Sequence, residues 1–209
     1  MNLHTKRFQI DGPAGTIEML RDEPGEAAPL RGTAVIAHLH PLFAGTMENK
    51  VVQTLARAFV QCGWRSLRFN FRGVGASQGV HDEGRGETDD MLHIVAQEAA
   101  SGPLALAGFS FGSFVAVNAL TKLWEVRAPE KIVLVGTAAS RFTVPPLPVD
   151  AHDRTLVLHG EADDTVALSD VMDWARPQQL PVTVVPGGSH FFHGQLPLLK
   201  SLVARHLRS

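Results

Sequence analysis

Residues 104–114 read LALAGFSFGSF, an apolar run interrupted by one serine set between two phenylalanines and two glycines. An apolar strand, PLALAGF (103–109), leads into this serine, and a helical run, SFVAVNALTKLW (113–124), leads away from it. Gly108-Phe109-Ser110-Phe111-Gly112 therefore fits G-x-S-x-G in a strand-to-helix context. A serine at so sharp a turn takes a strained backbone, and glycines on either side let the neighbouring chain pass without a Cβ clash. The turn would expose the Ser110 Oγ at the carboxyl end of a sheet and aim the first helical N–H groups toward it. A buried turn with an incidental hydroxyl is the competing reading, and what lies elsewhere in the chain decides between them.

Outward from this stretch, short Val/Leu/Ile-rich runs alternate with longer segments of helical period. The candidate strands are TAVIAH (33–38), RSLRFNF (65–71), PLALAGF (103–109), KIVLVGT (131–137), TLVLHG (155–160) and PVTVVP (181–186). The alternation predicts an α/β fold, a mostly parallel sheet covered on both faces. Before it, KRFQI and GTIEML read as an antiparallel N-terminal hairpin around Asp11-Gly12. Thr46 is the expected cap of a helix whose buried stripe is Val51, Leu55 and Phe59. Thr88, followed by Asp89 and Asp90, is the expected cap of the next. Val171 to Trp174 should form a short helix stopped near Pro177, and Leu196 to Leu207 a last one. The strand RSLRFNF departs from the pattern of a fully buried strand, setting Arg68 and Asn70 among Leu67, Phe69 and Phe71.

The 209 residues suit one domain spanning 1–209. With 44% hydrophobic residues, 19% charged residues and a net charge of -2, nothing marks the chain for nucleic acid or an anionic membrane. The N-terminal MNLHTKRFQIDGPAG lacks the apolar core of a signal peptide, and the longest apolar stretch, 103–120, is broken by glycines, serines and an asparagine. The single cysteine, Cys62, excludes an intramolecular disulfide and fits a cytoplasmic location. At the end of a predicted helix it reads as a small buried residue.

A serine hydroxyl needs a base to take its proton and a third group to orient the base. Two later strand ends supply candidates. HGEADDTVAL (159–168) places Asp163 and Asp164 just past one strand, and GGSHFFHG (187–194) places His190 in the loop past the next. Singly, such an Asp pair is a solvated loop and such a histidine a surface residue. Their appearance at consecutive strand ends after the serine turn favours a Ser-acid-His constellation in that chain order.

Taken together, these features resemble the α/β-hydrolase superfamily over nearly the whole chain. The similarity is greatest to its small cap-less serine hydrolases, whose first loop reads like AHLHPLFAGTMENKVV (37–52) and whose fourth strand ends like RFNFRGVGASQG (68–79). The resemblance implies a three-layer α/β-hydrolase fold without a cap domain. It implies Ser110 as nucleophile, Asp163 of Gly160-Glu161-Ala162-Asp163 as acid with Asp164 second, and His190 as base ahead of His193. One oxyanion donor would be the backbone N–H of Phe111. The other comes from the loop after TAVIAH, from His40 or Leu42 according to register, since Pro41 has no N–H.

Only Ala138 to Arg154 separate KIVLVGT from the next strand, so any lid is a loop and the pocket should be shallow. Its expected walls are Phe43, Phe142, Phe191 and Phe192, with Leu42, Phe111 and Phe109 as further candidates, Phe109 more as packing. His38 and His40 have no evident third partner for a metal. Gly73-Val74-Gly75-Ala76-Ser77-Gln78-Gly79 departs from a dinucleotide fingerprint, because its third glycine is one place late and a charged loop follows where a helix should. No metal and no cofactor is expected. The partner is a small-molecule acyl ester or thioester, the reaction acyl transfer to water, with carboxylesterase first. A thioesterase, a lactone hydrolase, an acyltransferase or a non-catalytic binding protein of the same fold are the alternatives.

Overall fold

The structure is a computed structural model that describes residues 5–25 and 29–209. Among the described residues eight strands form one sheet in the order β1-β2-β4-β3-β5-β6-β7-β8. They are β1 (Lys6–Gly12), β2 (Gly15–Asp22), β3 (Gly32–Ala37), β4 (Trp64–Phe69), β5 (Leu104–Phe109), β6 (Lys131–Val135), β7 (Thr155–Gly160) and β8 (Val182–Val185). β1 pairs with β2 and β2 with β4 antiparallel, and every pairing from β4 through β8 is parallel. The hairpin turns at Pro13-Ala14, two residues beyond the expected Asp11-Gly12, because Gly12 and Gly15 still pair across the ladder.

Among the described residues five α-helices cover the sheet: α1 (Lys50–Gln61), α2 (Arg85–Glu98), α3 (Phe111–Arg127), α4 (Leu168–Ala175) and α5 (Leu196–Arg208). Alternate residues of a strand point to opposite faces, and β3 shows the consequence. Val35 and Ala37 pack into a core shared with α2, α3 and α4, whereas Ala34 and Ile36 pack into one shared with α1 and α5. The chain is therefore a three-layer α/β sandwich, with the antiparallel N-terminal strands extending one edge. Among the described residues no helix is long and apolar enough to cross a membrane.

Two helix starts differ from the sequence reading. Asn49, not Thr46, caps α1, its side-chain oxygen accepting from the Val51 N–H at 2.8 Å, while Thr46 serves the turn before it through the Glu48 N–H. α2 begins a turn earlier than Thr88 allows. Gly84 takes the capping position, and the Glu87 carboxylate reaches back to its N–H at 2.8 Å, which places Thr88 inside the helix. Asp90 is likewise not a free first-turn charge, because it holds Arg72 through two bonds of 2.9 and 2.8 Å and so ties the loop after β4 to α2. Cys62 is buried at the end of α1, where its thiol faces the Ala204 carbonyl.

Arg68 and Asn70 have explicit partners on β2. Arg68 donates to Asp22 at 2.8 Å and to the Met47 carbonyl at 3.1 Å. Asn70 lies just past the end of β4, where its amide donates to Glu18 at 2.7 Å and accepts the Met47 N–H at 2.9 Å. Glu18 also accepts from Ala76 N–H and Arg7, and Ser77 bridges the Asn70 carbonyl and the Glu18 N–H. Burial raises the Glu18 pKa, but the bonds from Ala76, Asn70 and Arg7 outweigh it and hold the carboxyl below its usual range. The glycine-rich loop thus wraps a buried carboxylate; a Cβ on Gly75 would collide with Asn70 and Glu18.

Asp22 and Arg68 are both almost fully buried, so removing one partner strands a charge away from water. Asp22→Ala is expected to cost about 3–5 kcal/mol, read as a lowered midpoint in urea unfolding. Asp22→Leu combined with Arg68→Met should recover most of the loss.

Candidate active site

β5 delivers the chain into α3 through Ser110, whose φ of 56° and ψ of -118° lie where L-residues are strained. The glycines make this turn sterically feasible. A Cβ on Gly108 would strike the backbone of Gly112, and a Cβ on Gly112 would strike the carbonyls of Ala37 and His38. The Ser110 N–H is held by the Val135 carbonyl at 2.8 Å. Ser113, one turn into α3, bonds the Gly108 carbonyl at 2.8 Å and the Val135 N–H at 3.2 Å, clamping β5 and β6 beneath the turn. Sequence reasoning gave Ser113 no role, because its partners lie on two different strands.

Past β7, Asp163 points one carboxylate oxygen at the N–H groups of Thr165 and Val166, at 2.9 and 2.8 Å. The other oxygen lies 2.7 Å from Nδ1 of His190, in the loop past β8. Burial raises the Asp163 pKa, yet the bonds from His190 and from these backbone N–H groups prevail and hold it below the usual carboxylate range. Asp164 is exposed and, among the described residues, accepts only from the Thr165 hydroxyl, and His193 is exposed, its ring centroid 5.9 Å from that of Phe191. His190 packs on Phe109, ring centroids 4.9 Å apart, and both His190 and Ser110 border a cavity of about 240 Å³.

Around that cavity the structure brings together Phe43, Phe111, Phe142 and Phe191, and adds Leu39, Ala138, Arg141 and Val166, which the sequence reading did not name. These additions come from three separate loops, after β3, β6 and β7, and no local pattern marks them. Phe192 does not belong to the wall: it is wholly buried in the core with α1 and α5, its backbone left-handed at φ 51°. Phe109 is also fully buried, as a packing surface under His190. Leu42 is 72% exposed and does not border the cavity, and its N–H donates to Nδ1 of His40 at 3.2 Å. His40 does border the cavity, among Phe43, Phe111 and His81.

Two buried histidines stand behind the site. His38 Nε2 accepts from the Phe71 N–H at 3.0 Å, which leaves the proton on Nδ1 to be donated to the Leu39 carbonyl at 2.6 Å. Both ring nitrogens are engaged, so the ring fixes the loop after β3 and offers no lone pair to a metal. His159, on β7, lies 3.0 Å from the Val166 carbonyl and 3.5 Å from the Asp163 carboxylate.

A protein of Xanthomonas campestris, a member of the α/β serine hydrolases without lid, matches with a TM-score of 0.86 and 33% identity over 100% of this chain and 95% of its own. The chain belongs to the α/β-hydrolase superfamily. An α/β serine hydrolase homologue from Coxiella burnetii matches with a TM-score of 0.84 and 33% identity over 99% of this chain and 100% of its own. An uncharacterized protein of Rickettsia prowazekii is 31% identical over 200 residues, 89% of this chain and 82% of that one. No family model matches the sequence. As in the lid-less Xanthomonas hydrolase, this α/β-hydrolase has no cap among the described residues: the segment between β6 and β7 holds loop and one short 3-10 turn, Val149–Arg154.

Burial pushes the His38 pKa down from 6.5 to about 3. Between these values the unfolded chain binds a proton that the folded chain refuses. The stabilisation is therefore complete above about pH 6.5 and drains as the pH falls toward 3, at up to about 1.4 kcal/mol per pH unit. Urea unfolding at a series of pH values should show this slope, and His38→Gln should reduce it by up to one proton. His40, His159 and His206, whose pKa values burial also lowers, add to the slope, and Glu18 and Asp163, held below the usual carboxylate range, steepen its acid end.

Proposed function

We propose that this α/β-hydrolase is a serine hydrolase that cleaves a small carboxylic ester through Ser110, His190 and Asp163. The observation that carries the reading is the 2.7 Å bond between His190 Nδ1 and Asp163, with His190 and Ser110 bordering one cavity. That bond keeps the Nδ1 proton facing the carboxylate and leaves Nε2 as the base.

In this reading Nε2 takes the Ser110 proton as Oγ attacks the acyl carbonyl carbon. The resulting oxyanion rests on the Phe111 N–H, at the open first turn of α3, and on a second N–H from the loop after β3. His40 is favoured over Leu42 as that second donor, because the Leu42 N–H is spent on the His40 ring and Leu42 stands away from the cavity. Collapse expels the alkoxide, which receives the proton from His190. Water, deprotonated in turn by His190, then attacks the acyl-enzyme and frees the acid and Ser110. Asp163 stays ionised throughout and stabilises the imidazolium. The cavity of about 240 Å³ falls below the roughly 300–1,000 Å³ of sites for drug-sized ligands, which suits a short acyl group. The same steps serve a thioester or a lactone.

A fluorophosphonate probe is expected to place one adduct on the wild-type protein and none on Ser110→Ala. A folded wild-type protein that never labels would sink the proposal. Asp163→Asn should lower kcat on para-nitrophenyl esters by on the order of 10⁴-fold, because the amide supports the wrong imidazole tautomer.

A further inference from the structure

The cavity beside Ser110 is walled mainly by rings and aliphatic side chains, and among the described residues Arg141 is the one permanently charged residue on its border. Arg141 stands in the loop after β6, its guanidinium carbon 5.5 Å from the centroid of the Phe43 ring. A ring attracts a cation but offers no hydrogen-bond acceptor, so the guanidinium keeps its donors for another partner. Among the described residues Arg141 forms no ion pair. Of the two acids across the neighbouring groove, Asp173 is bound to Arg176, and neither Asp173 nor Asp170 reaches Arg141. The positive field of Arg141 does extend to the cavity wall: together with burial and His81 it disfavours a proton on His40. Two carboxylates near the site are already engaged: Asp163 is bonded to His190, and Glu87, whose charge favours a proton on His40, is bonded to His81 and accepts from the Asp82 and Gly84 N–H groups.

We propose that Arg141 forms a subsite for a carboxylate at the far end of the acyl group, so that the preferred substrates are half-esters of short dicarboxylic acids. The inference rests on the serine-hydrolase reading above and names its substrate class. The reacting carbonyl sits at Ser110, the methylene chain lies along Phe111 and Phe142, and the terminal carboxylate meets the guanidinium at the rim beside Phe43. Arginine suits this place because its planar fork can pair with both carboxylate oxygens, and the apolar walls reduce the competition from water.

The test compares para-nitrophenyl hexanoate with the para-nitrophenyl half-ester of hexanedioic acid, which share chain length and leaving group. The half-ester should be favoured in kcat/KM by about tenfold or more, the range of a hydrogen bond to a charged group. That ratio should collapse in Arg141→Gln, invert in Arg141→Glu and be partly kept in Arg141→Lys. The ratio is the readout because a loss of folded enzyme scales both esters equally. A wild-type protein that cleaves both esters without preferring the half-ester overturns the inference and leaves the esterase reading standing. So does an Arg141→Gln protein with an unchanged ratio. Cleavage of neither ester overturns both.

Discussion

There is no room for a methyl group between Gly108 and the backbone of Gly112, nor between Gly112 and the carbonyls of Ala37 and His38. This close approach of three backbones lets α3 start directly on the end of β5, against β3, and it forces Ser110 into a conformation that non-glycine residues avoid. The strain is held from below by Ser113, which joins the Gly108 carbonyl to β6, and by the bond from Ser110 N–H to Val135. The loops past β7 and β8 then lie within reach of the same sheet edge, because parallel strands all end on one side.

A second set of constraints protects this edge. The loop after β3 is held by the wholly buried His38, whose two nitrogens bond the Leu39 carbonyl and the Phe71 N–H. The loop after β4 is wrapped around the carboxylate of Glu18 and tied to α2 through Arg72 and Asp90. Both loops carry polar side chains inside the protein, and each such group is costly unless paired. The pairing makes them rigid. The part of the cavity wall built on the loop after β3, Leu39, His40 and Phe43, thereby inherits a fixed shape.

Much of this was legible in the sequence. The parallel strands, the N-terminal hairpin and the serine between glycines follow from local patterns of apolar period and turn chemistry, which need no knowledge of distant residues. The order of Ser110, Asp163 and His190 along the chain was legible for the same reason, since each sits just past an apolar strand. The helix starts were less so: Thr46 and Thr88 have capping chemistry, but Asn49 and the Glu87 carboxylate have it too, and their reach decided the outcome. Arg68 and Asn70 looked out of place in an apolar strand, because their partners, Asp22 and Glu18, lie on β2, far away in the chain.

What the sequence by itself determined is the α/β layering and the residues able to do chemistry, because both depend on the period and type of neighbouring side chains. Only the tertiary structure decided which face each loop residue turns to. It sent Phe191 to the cavity and Phe192 into the core, left Leu42 in solvent, and set Arg141 on the rim beside Phe43. Adjacent loop residues have no fixed period. Their direction is set by backbone angles such as the left-handed turn at Phe192 and by contacts with elements that only folding brings near.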